Sequence, residues 1–180
     1  IVERQPNEAA REWGLSHAAP AEDGESSPVT SWSVPSLGYG KFMAEIFQRW
    51  VKKDVGRIYV QLFDVSLGKW LGTGGGLCVF DETCGRAMAL EHDGSLYSCD
   101  HYVYPSHRLG RIGESSIVEM LESPEQKQFG ADKRDGLPRQ CRECAYRFAC
   151  NGGCPKGRFL TTSDGEPGLN YLCAGYYHFF

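Results

Sequence analysis

The sequence lacks the features that mark membrane proteins, secreted proteins and nucleic-acid-binding proteins. It has no run of 18 apolar residues, as a transmembrane helix would need. Its opening stretch, IVERQPNEAAREW, is too polar for a signal peptide. Lys and Arg are scattered without a basic stripe, and the formal net charge is −4. We therefore expect neither a membrane nor a nucleic acid as a partner.

A phosphate-binding loop is also missing. The glycine-rich stretch LGKWLGTGGG, residues 67–76, is not followed by the Lys and Ser or Thr that such a loop requires. We interpret it as a linker and place a domain boundary near residues 72–76. The chain opens without Met and ends on the apolar Phe179-Phe180, so we expect it to be a portion of a longer protein.

Cysteine, by contrast, is abundant and clustered. Four of the eight cysteines lie in CRECAYRFACNGGCPKGRF, residues 141–159, with the spacing C-x2-C-x5-C-x3-C. A buried structural cysteine needs no regular spacing, whereas a soft metal centre needs several thiolates that converge on one point. Gly152, Gly153 and Pro155 allow the backbone between them to bend tightly. The stretch predicts a metal-cluster loop.

The total of eight cysteines equals two sets of four thiolates, which is the number that two four-cysteine cluster sites require. An even number also permits disulfides, but the absent secretory signal and a chain of 180 residues argue against them. Thiolates and exposed clusters oxidise readily. We therefore expect a reducing, anaerobic cytoplasm.

The part before the linker predicts an α/β unit. Residues 41–54 predict a helix in which Phe42, Ile46 and Trp50 form one apolar stripe facing a core. Residues 57–65 follow as a predicted buried strand. A buried strand after an amphipathic helix is typical of the last units of a parallel sheet or barrel.

The rest of the chain predicts irregular and mixed structure. Residues 1–4 indicate the end of a strand, and residues 5–39, rich in Pro, Gly, Ser and Ala, predict a long surface excursion. Residues 86–99 predict a β-hairpin around an Asp-Gly turn. Short helices are predicted at 116–121 and from Ser123-Pro124 onward.

The cysteine pattern, together with Gly94, resembles a SPASM domain, the auxiliary iron–sulfur domain of peptide-modifying radical SAM enzymes. Cys78 and the pairs Cys99-Asp100 and Cys154-Pro155 narrow the resemblance to anaerobic sulfatase-maturating enzymes. The opening IVER and the segment YVQLFDVSLGKWLG also resemble the end of the barrel of that family. The resemblance implies that residues 1–72 are the C-terminal part of a partial (β/α) radical SAM barrel. Residues 73–180 would form an α+β, loop-rich SPASM domain.

The resemblance also implies the cofactors. The family oxidises a Cys or Ser of a sulfatase to formylglycine with one cluster that cleaves S-adenosylmethionine and two auxiliary [4Fe-4S] clusters. By resemblance, the first ligand set is Cys78, Cys84, Cys99 and Cys154. The second ligand set is Cys141, Cys144, Cys150 and Cys173.

Asp100 resembles the family's proposed base, which takes a proton from the substrate thiol or hydroxyl. The alternative is an acceptor that orders backbone N–H groups around Cys99. Arg142, Arg147, Lys156 and Arg158 lie among the cysteines, and they either offset cluster charge or form a solvated face.

One departure from the family pattern limits the expected activity. The C-x3-C-x2-C motif of the S-adenosylmethionine-cleaving cluster is absent, because Gly157 stands where its third cysteine would be. We expect S-adenosylmethionine and the third [4Fe-4S] cluster to bind in a missing N-terminal part, and the chain alone to be inactive. The expected partners are an unfolded or nascent sulfatase polypeptide and an electron carrier such as flavodoxin or ferredoxin.

Three alternatives remain open. Another SPASM-type maturase, forming thioethers or quinone cofactors, would share the cysteine pattern, although Cys78 and Cys99-Asp100 favour formylglycine formation. Two zinc sites of four thiolates would give a zinc-binding interaction module with the same number of cysteines. A ferredoxin-type electron-transfer protein is disfavoured by the long segment that precedes the linker.

Overall fold

The computed structural model describes residue 2 and residues 29–180. The helices are α1 (Ser36–Lys53), α2 (Gln61–Trp70), α3 (Ile117–Leu121), α4 (Pro124–Asp135), α5 (Arg139–Arg142), α6 (Arg147–Cys150) and α7 (Cys173–Phe179). The strands are β1 (Ala89–Leu90), β2 (Ser95–Tyr97), β3 (Arg108–Arg111), β4 (Leu160–Thr161) and β5 (Pro167–Leu169). Short 3-10 turns cover Asp100–Tyr102, Pro105–His107 and Pro155–Gly157. Over residues 29–180, no helix combines the length and apolarity needed to cross a bilayer.

The predicted β-hairpin is confirmed by the antiparallel pair β1 and β2. Gly94 adopts a φ of 84° in the turn, and the Asp93 carboxylate accepts the Ser95 N–H at 2.9 Å. Strand β3 pairs antiparallel with the other edge of β2, which gives the order β1-β2-β3, while β4 and β5 form a separate two-stranded sheet. Cys99 lies two residues after the end of β2, so the three-stranded sheet fixes the position of this cysteine.

Both helices predicted after the hairpin are confirmed. The cap at Ser123 was expected, whereas Ser116, predicted as the first residue of its helix, is instead its cap. The Ser116 hydroxyl accepts the Glu119 N–H at 3.1 Å, and the Glu119 carboxylate accepts the Ser116 N–H at 3.0 Å. The Ser123 hydroxyl accepts the Gln126 N–H at 3.2 Å, and Pro124 occupies the first turn of α4.

The predicted strand at residues 57–65 is wrong, because residues 61–70 form helix α2. The Asp64 carboxylate accepts the Val60 N–H at 3.0 Å, which satisfies a backbone amide at the start of the helix. A short apolar run cannot by its pattern alone distinguish a buried strand from a buried helix. Helix α2 also extends into the predicted linker. Residues 30–72 contain no strand, so the barrel remnant is not confirmed in the part of residues 1–72 that the structure describes.

The helix predicted at residues 41–54 is confirmed, but it begins earlier, at Ser36. The predicted surface excursion at residues 5–39 is therefore wrong over its last four residues. Residues 5–28 of that prediction lie outside the described residues, as does nearly all of the strand end predicted at residues 1–4.

The inward face of α1 differs from the predicted stripe. Trp50 is buried as expected, but Phe42 is 60% exposed and Ile46 is 38% exposed. The face that packs inward instead carries Gly40, Phe47 and Trp50. Helix α7 lies against α1 at Gly40, so within residues 29–180 this face makes the packing contacts of α1.

An aromatic core joins helices α1, α2 and α7. The Phe47 ring of α1 lies 5.4 Å from the Phe63 ring of α2 and 5.8 Å from the Phe179 ring of α7, measured between centroids. Both contacts are edge-to-face, the arrangement that aromatic pairs prefer. Next to it, Val65, Phe80 and Tyr176 form a buried cluster. The end of the chain is thus held against α1 and α2.

The contact between α1 and α7 leads to a prediction about stability. A Cβ on Gly40 would lie 2.3 Å from the carbonyl oxygen of Gly175. We expect Gly40→Ala to lower the free energy of unfolding by about 1–3 kcal/mol through overpacking. Gly38→Ala is the matched control, because its Cβ meets nothing closer than the Pro35 Cβ at 3.7 Å. It should be neutral or stabilise by up to about 1 kcal/mol. Urea unfolding of both variants checks this, and equal effects would contradict it.

Candidate metal centre

The cysteine-rich loop folds around a cavity of about 250 Å³. Cys141, Cys144, Cys150 and Cys173, the second ligand set, all line this cavity. Cys141 lies on α5, Cys150 ends α6 and Cys173 begins α7. The cysteine-rich loop therefore brings three thiols to one cavity, and helix α7 adds Cys173 from later in the chain.

The thiols of the second ligand set interact electrostatically with one another. Burial raises the pKa of Cys150 to about 12, and the charges of Cys173, Cys141 and Cys144 contribute to this rise. Burial likewise raises the pKa of Cys173 to about 11, with contributions from Cys141 and Cys144. Mutual shifts of this kind arise when ionisable groups lie close together. Binding of a metal would have to displace the thiol protons.

The thiols of the first ligand set gather around Cys154. Burial raises the pKa of Cys99 to about 12, with contributions from Asp100 and Cys154. Burial also raises the pKa of Cys84, and the charges of Cys154 and Cys78 add to the effect. Cys154 is thus coupled to cysteines far earlier in the chain.

The lining of the cavity and the electrostatic interactions among the thiols agree with the two predicted ligand sets, whose membership stays a prediction. The donor chemistry fits iron–sulfur clusters, because each set offers four thiols and one of them surrounds a cavity. Ligation by these residues stays a prediction.

Asp100 lies at the exposed edge of the first ligand set. Its carboxylate accepts the Cys99 S–H at 3.1 Å, and this hydrogen bond lowers the pKa of Asp100. The His101 ring approaches on both sides: its Nε2 lies 4.0 Å from the Asp100 carboxylate, and its Nδ1 lies 3.3 Å from the Cys154 Sγ. The Asp100 side chain is 74% exposed, so it is open to an incoming molecule.

Helix α4 holds the first ligand set together, although it contains no cysteine and its role was not predicted from the sequence. Gln126 is buried, and its side-chain amide donates to the Gly85 carbonyl at 2.6 Å and to the Ser98 carbonyl at 3.1 Å. It therefore ties the backbone next to Cys84 to the backbone next to Cys99.

Two more residues on the same face of α4 contact this segment. The Cys84 N–H donates to the Gly130 carbonyl at 3.3 Å, and a Cβ on Gly130 would lie 2.5 Å from the Cys84 carbonyl oxygen. Lys133 is 1% exposed and donates to the carbonyls of Cys78, Val79 and Asp81. Gln126, Gly130 and Lys133 follow an i, i+4, i+7 spacing, which places them on one face of the helix and could have indicated that this face is buried. Polar residues at this spacing are, however, ordinarily assigned to an exposed face.

Comparison with known proteins agrees with this geometry. Residues 78–145 match the SPASM family, an iron-sulfur cluster-binding domain. Nearly the whole chain is also similar to anaerobic sulfatase-maturating enzymes, which confirms the resemblance seen in the sequence.

Two relatives show the extent of this similarity. The serine-type anaerobic sulfatase-maturating enzyme of Bacteroides thetaiotaomicron is 47% identical over 164 residues, which cover 91% of this chain and 40% of that protein. The cysteine-type enzyme of Clostridium perfringens is 30% identical over 152 residues, covering 83% of this chain and 40% of that protein. The chain spans about two-fifths of the length of these relatives.

Solved structures give the same picture. Native anSMEcpe with bound AdoMet and Kp18Cys peptide matches with a TM-score of 0.70 and 29% identity, over 89% of this chain and 43% of that chain. Native anSMEcpe with bound AdoMet and Cp18Cys peptide matches with a TM-score of 0.71 and 28% identity, over 90% of this chain and 45% of that chain.

Proposed function

We propose that this chain is the C-terminal portion of a radical SAM oxidoreductase that oxidises a Cys or Ser of a sulfatase to formylglycine. In this proposal the chain carries two auxiliary [4Fe-4S] clusters. The observations that support it most are the four thiols that line one cavity and the match of residues 78–145 to the SPASM family. The similarity to both serine-type and cysteine-type maturases agrees with it.

Each set of thiols would hold one cluster. The first would be held by Cys78, Cys84, Cys99 and Cys154, and the second by Cys141, Cys144, Cys150 and Cys173. When bound, such clusters provide a route for the electrons that oxidation of the substrate releases. S-adenosylmethionine and a third [4Fe-4S] cluster would bind in a part of the protein beyond these 180 residues.

We assign to Asp100 the removal of the proton from the substrate thiol or hydroxyl. Its carboxylate is exposed, it lies next to Cys99, and it is available to a molecule that approaches the first ligand set. Its contact with the Cys99 thiol is equally compatible with a role as an acceptor that orders the surroundings of this cysteine. The two roles differ in their effect on cluster content, because a base can be removed without loss of iron.

The proposed partners follow from the same reaction. A sulfatase polypeptide, unfolded or nascent, would be the substrate, and a flavodoxin or ferredoxin would exchange electrons with the clusters. We place the protein in a reducing cytoplasm, because eight free thiols oxidise readily elsewhere. We also propose a division into residues 1–72, the end of the barrel, and residues 73–180, the SPASM domain.

Metal analysis after anaerobic reconstitution tests the proposal. We expect about eight irons per chain and a broad absorption band at about 400 nm, as two [4Fe-4S] clusters require. About two zinc ions per chain without iron would contradict it and would indicate a zinc-binding interaction module. The wild-type chain and a variant with all eight cysteines changed to Ala should be reconstituted in parallel, so that adventitious iron is subtracted.

A further inference from the structure

Arg158 lies beside the turn that separates Cys150, of the second ligand set, from Cys154, of the first. Burial lowers the pKa of its guanidinium, while the charges of Cys141, Cys150, Cys154 and Cys84 raise it. Two of these cysteines belong to the second ligand set and two to the first. Arg158 is therefore placed to act on both sites at once.

Within residues 29–180, the Arg158 guanidinium donates hydrogen bonds only to neutral backbone carbonyls. Its Nε donates to the Gly152 carbonyl at 3.0 Å, and its Nη2 donates to the carbonyls of Asn151 at 2.8 Å and Gly153 at 3.1 Å. Its Nη1 donates to the Lys133 carbonyl at 2.6 Å. No ion pair to a carboxylate is formed within the same residues.

Lys133 is a second buried cation of the same kind. Its ammonium donates to three backbone carbonyls and forms no ion pair within residues 29–180. The Asp81 carboxylate, which pairs with Lys69 at 3.0 Å, makes a smaller contribution to the pKa of Lys133 than Cys84 or Cys78 does. Its charge acts on Cys84, Cys78 and Cys154. All three of these cysteines belong to the first ligand set.

Burying a cation is costly unless an anion compensates it. Backbone carbonyls satisfy the N–H groups of Arg158 and Lys133, but they carry no net charge. Each thiolate that binds iron adds a negative charge close to these cations. A fixed cation also stabilises the reduced form of a cluster more than the oxidised form, because reduction adds an electron.

We propose that Arg158 and Lys133 are the built-in counter-charges of the two metal sites, with Arg158 serving both sites and Lys133 serving only the first ligand set. Both act as positioning residues that set the cluster potentials and do not bind iron. This inference rests on the proposed function, because it requires the clusters. The similarity to the SPASM family does not by itself assign a role to either cation.

Redox titration of the reconstituted chain, followed by electron paramagnetic resonance, tests the inference. At a fixed potential, we expect Arg158→Met to raise the oxidised-to-reduced ratio about tenfold at both clusters, a change of about 59 mV toward lower potential for one electron. We expect Lys133→Met to cause such a change only at the cluster of the first ligand set. The two signals are assigned with Cys173→Ala, which should lack the second cluster.

Two control variants separate charge from structure. Arg134→Met removes the same charge from an exposed position on α4, where Arg134 pairs with Asp135 at 2.7 Å, and should leave both potentials unchanged. Arg158→Lys keeps the charge without the forked hydrogen bonds and should keep both potentials close to wild type. Equal potentials in Arg158→Met and wild type would overturn the inference.

Failure of a variant to assemble is also informative. If Arg158→Met takes up no iron but Arg158→Lys takes up the full amount, the requirement for charge is supported. If both variants take up none, Arg158 is only a structural contact and the inference is overturned. A wild-type chain that itself binds no iron would instead refute the proposed function.

Discussion

Replacing Cys154 by Ala should remove about four of the eight irons from the reconstituted chain, because one [4Fe-4S] cluster holds four irons. The cluster lost should be that of Cys78, Cys84 and Cys99, although Cys154 belongs by sequence to the cysteine-rich loop. The reason is its electrostatic coupling to Cys84 and Cys99. Iron analysis combined with electron paramagnetic resonance measures both the number of irons and the cluster that remains.

The matched control is Cys173→Ala, which should also remove about four irons. It should lose the cluster of the second ligand set and keep the cluster of the first. The pair of variants therefore gives the same iron content with two different residual spectra. Identical residual spectra would show that Cys154 serves the same cluster as Cys173, and the proposed ligand sets would have to be abandoned. Circular dichroism of both variants checks that the helices are retained.

The local backbone explains why Cys150 and Cys154 can serve different sites. In a continuous helix, residues four apart lie on the same face. Here helix α6 ends at Cys150, and the next three residues adopt positive φ angles: 45° at Asn151, 70° at Gly152 and 62° at Gly153. This left-handed turn reverses the chain and carries Cys154 away from the cavity. The Arg158 guanidinium donates to the carbonyls of all three turn residues.

Local chemistry could be predicted from the sequence. The cap at Ser123 and the turn at Asp93-Gly94 act over a few residues, and both were predicted where the structure has them. The close spacing of four cysteines in residues 141–154 is also a local signal, because a soft metal centre needs several thiolates near one point. Their division between two ligand sets was implied only by the resemblance to a family. The cap, the turn and the close spacing needed no knowledge of the rest of the fold.

The features that were missed depend on contacts between distant segments. Gly38 and Gly40 lower the helix propensity at the start of α1, so this stretch resembles a loop in the sequence. In the structure, Gly40 allows α7 to approach at Gly175, and packing against α7 offsets the low propensity. The buried positions of Gln126 and Lys133 likewise follow from the carbonyls that they meet around Cys78 and Cys84, which no pattern within α4 reveals.

Asp100→Asn should lower the rate of formylglycine formation about 100- to 10,000-fold in the enzyme that combines this chain with its S-adenosylmethionine-binding part. The substitution keeps the size of the side chain but removes its ability to accept a proton at neutral pH. Mass spectrometry of a sulfatase peptide measures the product. A thioether or quinone product from the unaltered enzyme would instead favour another SPASM-type maturase.

The iron content of Asp100→Asn decides between the two roles of the carboxylate. A base can be removed without loss of iron, so a slow variant with about eight irons in the two auxiliary sites would support proton removal. A variant that loses the cluster of Cys99 in proportion to its activity would show that Asp100 orders the surroundings of this cysteine. Asp135→Asn is the matched control, because this exposed carboxylate pairs with Arg134 away from the cysteines and should change neither quantity.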